Sequence, residues 1–344
     1  MDHRPQPTAI RIACLILCGT VLGTCSLPPR DAHERNRVPP GPTTSFGTFR
    51  GTSVDGGSRD GPLLAPICPP LRAGGEPTDR LATRFAVIGD YGSAGINEQN
   101  VATLVESWHP DFVITVGDNN YYAGESSTID DNIGQYYHAF IGGYAGHYGC
   151  GAAANGFFPS LGNHDWDSPT GPQPYLDYFL LPGNERYYSV VRGDVQLFAI
   201  DSDPREPDGV GFDSAQAIWL RDALATSTSR WRIVYMHHPP FSSGSHGSSP
   251  WMQWPYKTWG ANLVLAGHDH TYERLVEDDL TYIVAGLGGA SLYSFVVPAP
   301  GTQFAFAEDF GALLIDADAT QLRARFYRVS GDLVDQTVLT AIGP

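Results

Sequence analysis

From Arg84 onward the chain is built of short apolar runs separated by polar, glycine-bearing breaks. Phe85-Ala-Val-Ile88 has the length of a buried strand and gives way to Gly89-Asp90. Phe112–Val116 gives way to Gly117-Asp118, and Phe158–Leu161 to Gly162-Asn163-His164. Ile233–Met236 runs into His237, and Leu263–Leu265 into Gly267-His268. Val195–Ile200, Tyr282–Val284, Ala312–Ile315, Leu322–Tyr327 and Leu333–Leu339 read as further strands. Helical spacing appears twice. Asn97–Trp108 places Val101, Leu104 and Val105 on one face. A second helix starts at a predicted Asp213 cap with Gln216 as its capping-box partner, and turns Ile218, Trp219, Ala223 and Leu224 to the core.

This order has a functional consequence. In a sheet flanked by helices, the loops after parallel strands leave from one edge, and ligand-binding groups collect there. Five runs each end in Asp, Asn or His, so residues far apart in sequence are expected to converge on one site.

Ahead of this region the pattern fails. Residues 26–80 are dense in Pro, Gly, Ser, Thr and Arg, without sustained periodicity, and read as a disordered linker. Residues 1–25 read as a signal peptide: Arg4 and Arg11 precede the apolar run Ile12–Leu22, which is too short to span a membrane. Leu22-Gly-Thr-Cys25 has the form of a lipobox; lipid attachment at Cys25 and ordinary cleavage nearby both fit. Residues 81–344 are then the catalytic domain, keeping Cys68 just outside it and Cys150 inside. Those two cysteines either pair in an oxidising compartment or stay as thiols, and spacing does not separate the cases.

Charge narrows the partners. The formal net charge is −16, so nothing general draws the chain to nucleic acid or to anionic lipid. A phosphate-bearing substrate must therefore find positive charge locally, and bound metal supplies it. The candidate ligands are Asp90, Asp118, Tyr121, Asn163, His237, His268 and His270. Carboxylate, phenolate, amide oxygen and imidazole together suit Fe, Mn or Zn. Each fragment alone has a plainer explanation, since an Asp after a strand often caps a helix, an Asn often sits in a turn, and His237-His238 precedes Pro239-Pro240. All five together, each at a strand end, are what point to a metal centre.

The ordered blocks Gly89-Asp90-Tyr91-Gly92, Gly117-Asp118-Asn119-Asn120-Tyr121, Gly162-Asn163-His164-Asp165, Val234-Tyr-Met-His237 and Gly267-His268-Asp269-His270 resemble those of purple acid phosphatases, members of the calcineurin-like metallophosphoesterases. The resemblance spans roughly residues 84 to 330. The general superfamily pattern has Asp-x-His in the first block; here Gly92 stands in the third place, and Tyr121 occupies the family's tyrosine position, with Tyr122 a competing neighbour.

The resemblance implies an α/β (α+β) fold, a four-layer αββα sandwich of two mixed β-sheets flanked by helices, with the active site at the strand C-terminal edge. It implies two metal ions, Fe3+ with Fe2+, Zn2+ or Mn2+: Asp90, Tyr121 and His270 on the ferric ion, Asn163, His237 and His268 on the second, and Asp118 bridging. It makes His164 a phosphate contact oriented by Asp165, and His246 the leaving-group acid, with a metal-activated hydroxide attacking phosphorus. His109, His138 and His147 match no block and are expected to be structural or exposed. The expected reaction is hydrolysis of small phosphate monoesters by an exported enzyme that has no obligate protein partner and meets a membrane only through a lipid anchor at Cys25. Rival readings are a phosphodiesterase or nucleotidase, with Trp251, Trp254, Tyr256 and Trp259 as a wall for a base or aryl group, a non-catalytic surface lipoprotein, and a redox role.

Overall fold

The computed structural model describes residues 82–341. Thirteen strands occur among them: β1 (Thr83–Ile88), β2 (Phe112–Thr115), β3 (Phe157–Pro159), β4 (Tyr188–Arg192), β5 (Val195–Ala199), β6 (Trp231–Tyr235), β7 (Leu263–Ala266), β8 (Tyr272–Glu277), β9 (Leu280–Ala285), β10 (Thr302–Phe306), β11 (Gly311–Ala317), β12 (Gln321–Arg328) and β13 (Leu333–Thr340). They form two mixed sheets. One runs β13-β12-β11-β1-β2-β3, with β1, β2 and β3 parallel. The other runs β10-β8-β9-β7-β6-β5-β4, with β5, β6, β7 and β9 parallel.

The period of two along each strand decides the layering. Phe85, Val87, Phe112 and Ile114 from the first sheet meet Leu197, Ile233, Leu263 and Ile283 from the second in a central core. The intervening residues face outward and are covered by helices, because strands buried on both faces need a layer on each side. Val101, Ala102 and Val105 of the helix Ile96–Ser107 pack on Ala86, Ile88 and Val113. Ala217, Leu220 and Leu224 of the helix Ala215–Thr226 pack on Phe198, Val234 and Val264. The result is the four-layer αββα sandwich.

Local details depart from the sequence reading. The second helix is capped by Ser214, whose hydroxyl accepts from the Ala217 N–H, and not by Asp213. Gln216 turns inward instead, accepting from the Asp201 N–H and donating to the Asp201 carbonyl. The fully buried stripe is Ala217, Leu220 and Leu224, with Trp219 and Ala223 packed half-buried against the same core; of the four expected core residues only Ile218 is exposed. Cys150 is disulfide-bonded, while its candidate partner Cys68, the signal segment and the whole linker lie outside the described residues. No helix of the described residues is long and apolar enough to cross a membrane.

Candidate metal centre

Because β1, β2 and β3 are parallel, as are β6 and β7, the turns after all five leave from the same ends of their sheets. The glycines of the motifs let those turns crowd together. Gly117 has φ +88°, and a Cβ there would meet the His237 ring at 2.6 Å. A Cβ on Gly162 would overlap the Asp118 backbone. Three candidate ligands also lie in the left-handed region, Asp90 (φ 55°), Asp118 (φ 51°) and His268 (φ 70°), a costly conformation that packed surroundings must enforce. The turns are cross-linked through their carboxylates: the His268 N–H donates to Asp90 at 2.9 Å, and the His164 N–H to Asp118 Oδ1 at 2.9 Å.

The side chains gather in two groups that share Asp118. In the first, Tyr121 Oη lies 3.0 Å from Asp118 Oδ2, 3.0 Å from His270 Nε2 and 3.4 Å from Asp90 Oδ1. In the second, His237 Nε2 lies 3.3 Å from Asp118 Oδ1, 2.9 Å from Asn163 Oδ1 and 3.1 Å from His268 Nδ1. All seven expected ligands are therefore brought together. Tyr121 is 7% exposed and enters the site, whereas Tyr122 is 84% exposed, which resolves the competition between them.

Hydrogen bonds to carbonyls set the imidazole tautomers. His237 Nδ1 faces the Val116 carbonyl at 2.9 Å, and His270 Nδ1 faces the Ser291 carbonyl at 3.1 Å and its hydroxyl at 2.7 Å. A carbonyl only accepts, so Nδ1 carries hydrogen and Nε2 is turned to the site. His164 follows the same rule, with Nδ1 2.6 Å from the Tyr122 carbonyl.

This chemistry fits bound cations. Asp90 and Asp118 are buried, and among the described residues their ion pairs are with histidines, not with Lys or Arg. Buried carboxylates without a strong cation are costly. Asp90, Asp118 and His270 also place ligand atoms within 4.8 Å of one another. Burial opposes charge on His237, but Asp118 outweighs it and pushes the ring up to about 10. Burial, with Asp118 and Asp90, holds the Tyr121 phenol well above its ordinary value. Protein groups alone thus keep protons where ligand lone pairs are wanted, and a cation must displace them.

The candidate catalytic residues divide. His164 packs its ring on Tyr121 at 4.4 Å, with Nε2 3.9 Å from Asp118 Oδ2. His246 is exposed and packs against the His268 ring at 4.3 Å. Asp165 does not orient His164. Its carboxylate points inward, accepting from the Gly162 N–H at 2.8 Å, the Asn119 N–H at 3.1 Å and the Asn119 side chain at 2.8 Å. The short helical turn His164–Trp166 sends adjacent side chains in different directions, so neighbours in sequence separate in space. Burial and the Asp118 charge push Asp165 up to about 7.

Several supporting groups were not foreseen. Ser291 holds His270, and Tyr293 stacks on the same ring at 3.9 Å and 4°. Arg205 donates to the Asn163 carbonyl at 2.9 Å while pairing with Asp203 and Asp167, fixing the turn that carries the amide ligand. His238, held neutral by burial with a value of about 3, packs on His268 at 4.5 Å. The glycine run after β9 was the available signal for the first two; Arg205 had none beyond its Asp neighbours. Trp254, Tyr256 and Trp259 belong to the helix-side core, and only Trp251 reaches the site's surroundings. His138 bonds the Gly134 carbonyl and His147 lies against Asp130, both away from the ligand groups.

The family model for calcineurin-like phosphoesterases matches residues 83–272, and the chain belongs to that family. It is a hydrolase of phosphoric esters, and it is similar to purple acid phosphatases. It shares 28% identity over 237 residues with purple acid phosphatase 17 of Arabidopsis thaliana, covering 59% of this chain and 68% of that protein. With mouse tartrate-resistant acid phosphatase type 5 it shares 24% over 259 residues, covering 64% and 76%. The purple acid phosphatase of yellow lupin seeds has the same fold, with a TM-score of 0.61 at 18% identity, covering 75% of this chain and 54% of that one. GAP50, described as the anchor in the inner membrane complex of Plasmodium, also matches with a TM-score of 0.61 at 16% identity, covering 77% and 90%. A shared fold therefore does not assign a role, and the side chains of the site must.

Proposed function

We propose that this chain hydrolyses phosphate monoesters as an acid phosphatase with a dinuclear metal centre. The observation that carries this is the division of Asp118, whose two carboxylate oxygens each face a separate buried ligand group. Asp90, Tyr121 and His270 would hold one ion and Asn163, His237 and His268 the other, with Asp118 shared. The phenolate suits a ferric ion, and the second position, rich in imidazole, suits Fe2+, Zn2+ or Mn2+. When bound, such ions neutralise phosphate oxygens and lower the pKa of water.

The chain's own groups do the rest. Ser291 and the Val116 carbonyl fix the tautomers of His270 and His237. His164, anchored by the Tyr122 carbonyl, presents Nε2 to a phosphate oxygen. His246, exposed beside His268, donates the proton to the departing alcohol. The same reading takes the protein to be exported: the N-terminal basic and apolar segment supports it, as does a disulfide at Cys150. Turnover of phenyl phosphate by metal-loaded protein, against bis-phenyl phosphate and nucleotides, tests the substrate class. A preparation that binds metal but cleaves none of them favours the non-catalytic role.

A further inference from the structure

Around the two ligand groups runs an unbroken chain of rings. Trp251 packs on His238 at 5.7 Å, His238 on His268 at 4.5 Å, His268 on His246 at 4.3 Å, His246 on Tyr293 at 5.4 Å, and Tyr293 on His270 at 3.9 Å. The position beside His246, where a departing alcohol takes its proton, is thus bordered by an aromatic surface. The loop that carries Tyr293 is itself apolar and exposed. The loop carrying Tyr293 crosses from the Asp90 carbonyl, bonded by the Ala290 N–H, to the Ser243 carbonyl in the His246 loop, bonded by the Val296 N–H. Along that loop Leu292, Val296 and Val297 are 39%, 67% and 69% exposed. Trp251, at the other end of the ring chain, is 39% exposed.

Lysine and arginine are missing from the surroundings of this aromatic wall. The loops around the site, residues 119–130, 163–172, 237–251 and 286–301, contain no Lys or Arg, and the chain's one lysine, Lys257, bonds the Asp279 carbonyl. Arg205 is committed to Asp203 and Asp167. A leaving group bearing further phosphates would meet no cation in these loops, whereas a flat, uncharged one gains stacking and apolar burial.

We propose that the favoured leaving group is an uncharged aromatic alcohol, seated on Tyr293 beside His246 with Trp251 extending the surface. This rests on the phosphomonoesterase reading but adds a selectivity that reading does not require. The test measures binding of phenylphosphonate and methylphosphonate to the metal-loaded full chain by calorimetry. These probes share the metal-binding head, are not hydrolysed, and differ only in the group that meets the wall. Native protein should bind the phenyl compound about tenfold more tightly. The preference, read as the ratio of the two affinities, should shrink in Tyr293→Leu and in Trp251→Ala and vanish in the double variant; a disturbance of the metal centre weakens both probes alike and leaves the ratio in place. Equal binding of the two by native protein, or a preference that survives the double substitution, overturns the proposal. Failure of both to bind would remove the phosphomonoesterase reading and this one with it.

Discussion

Tyr121 donates its phenol hydrogen to Asp118 Oδ2 at 3.0 Å, so the residue that would colour the centre leans on the carboxylate that would bridge it. Burial and the charges of Asp118 and Asp90 keep that phenol protonated in the absence of a cation. Tyr121→Phe removes the phenolate but keeps the ring that packs on His164. The variant should stay folded, bind iron at least about tenfold more weakly, and lack the visible absorption that the iron-loaded native protein shows. A visible spectrum taken alongside iron titration checks both.

Metal uptake should release protons. The Asp118 charge raises His237 to about 10 against the effect of burial, so its ring is protonated at neutral pH in metal-free protein. Lowering the pH strengthens the proton's claim on Nε2, and metal affinity should fall by about tenfold per pH unit for each proton displaced. Calorimetric titrations in buffers of different ionisation enthalpy measure the number released; a value of zero at pH 7 is incompatible with His237 as a ligand.

The His164 side chain approaches neither Asp90 nor Asp118 closely enough to be essential to metal binding, its Nε2 standing 3.9 Å from Asp118, and the backbone N–H that bonds Asp118 survives substitution. His164→Ala should therefore leave metal content unchanged and lower kcat/KM for phenyl phosphate by about 10²-fold. Asp165→Ala should behave in the opposite way at the level of folding. It strands the Gly162 and Asn119 donors beneath the site and should cost about 3 kcal/mol in urea denaturation.

Away from the centre, Asp130 ties a surface loop to the body. Burial works against its charge, but the Tyr144 hydroxyl, the His147 N–H and the Tyr178 hydroxyl outweigh burial and hold Asp130 below the usual carboxylate range. Its folded value is depressed, so the stability it adds is present above the unfolded carboxylate pKa and is lost as pH falls through the folded value. Asp130→Asn should be less stable than native protein at pH 7, with the difference narrowing on acidification toward pH 3. Urea midpoints across that range measure it.

What was legible in the chain had local causes. The strands ending in Asp90, Asp118, Asn163, His237 and His268 are short apolar runs closed by glycine or a polar stop, and burial on both faces demands that composition. β4, β8 and β10 lack that composition and are not legible in the sequence. β4 and β10 are edge strands with half-exposed residues, and β8 carries a buried Glu273 and an Arg274 paired to Asp335. Long-range contacts were equally hidden. Ser291 and Tyr293 lie in a loop without periodicity, and only the folded backbone carries them to His270. The role that the resemblance implies for Asp165, orienting His164, fails on local geometry, because the turn between Asn163 and Trp166 sends its carboxylate toward Asn119.

The division of Asp118 between two ligand groups is the claim on which the rest depends, and elemental analysis of native protein beside Asp118→Ala tests it most directly. Native protein should retain two transition-metal ions per chain after gel filtration, and the variant should lose both sites while keeping its secondary structure. A native protein holding one ion or none, or a variant still holding two, would contradict the account.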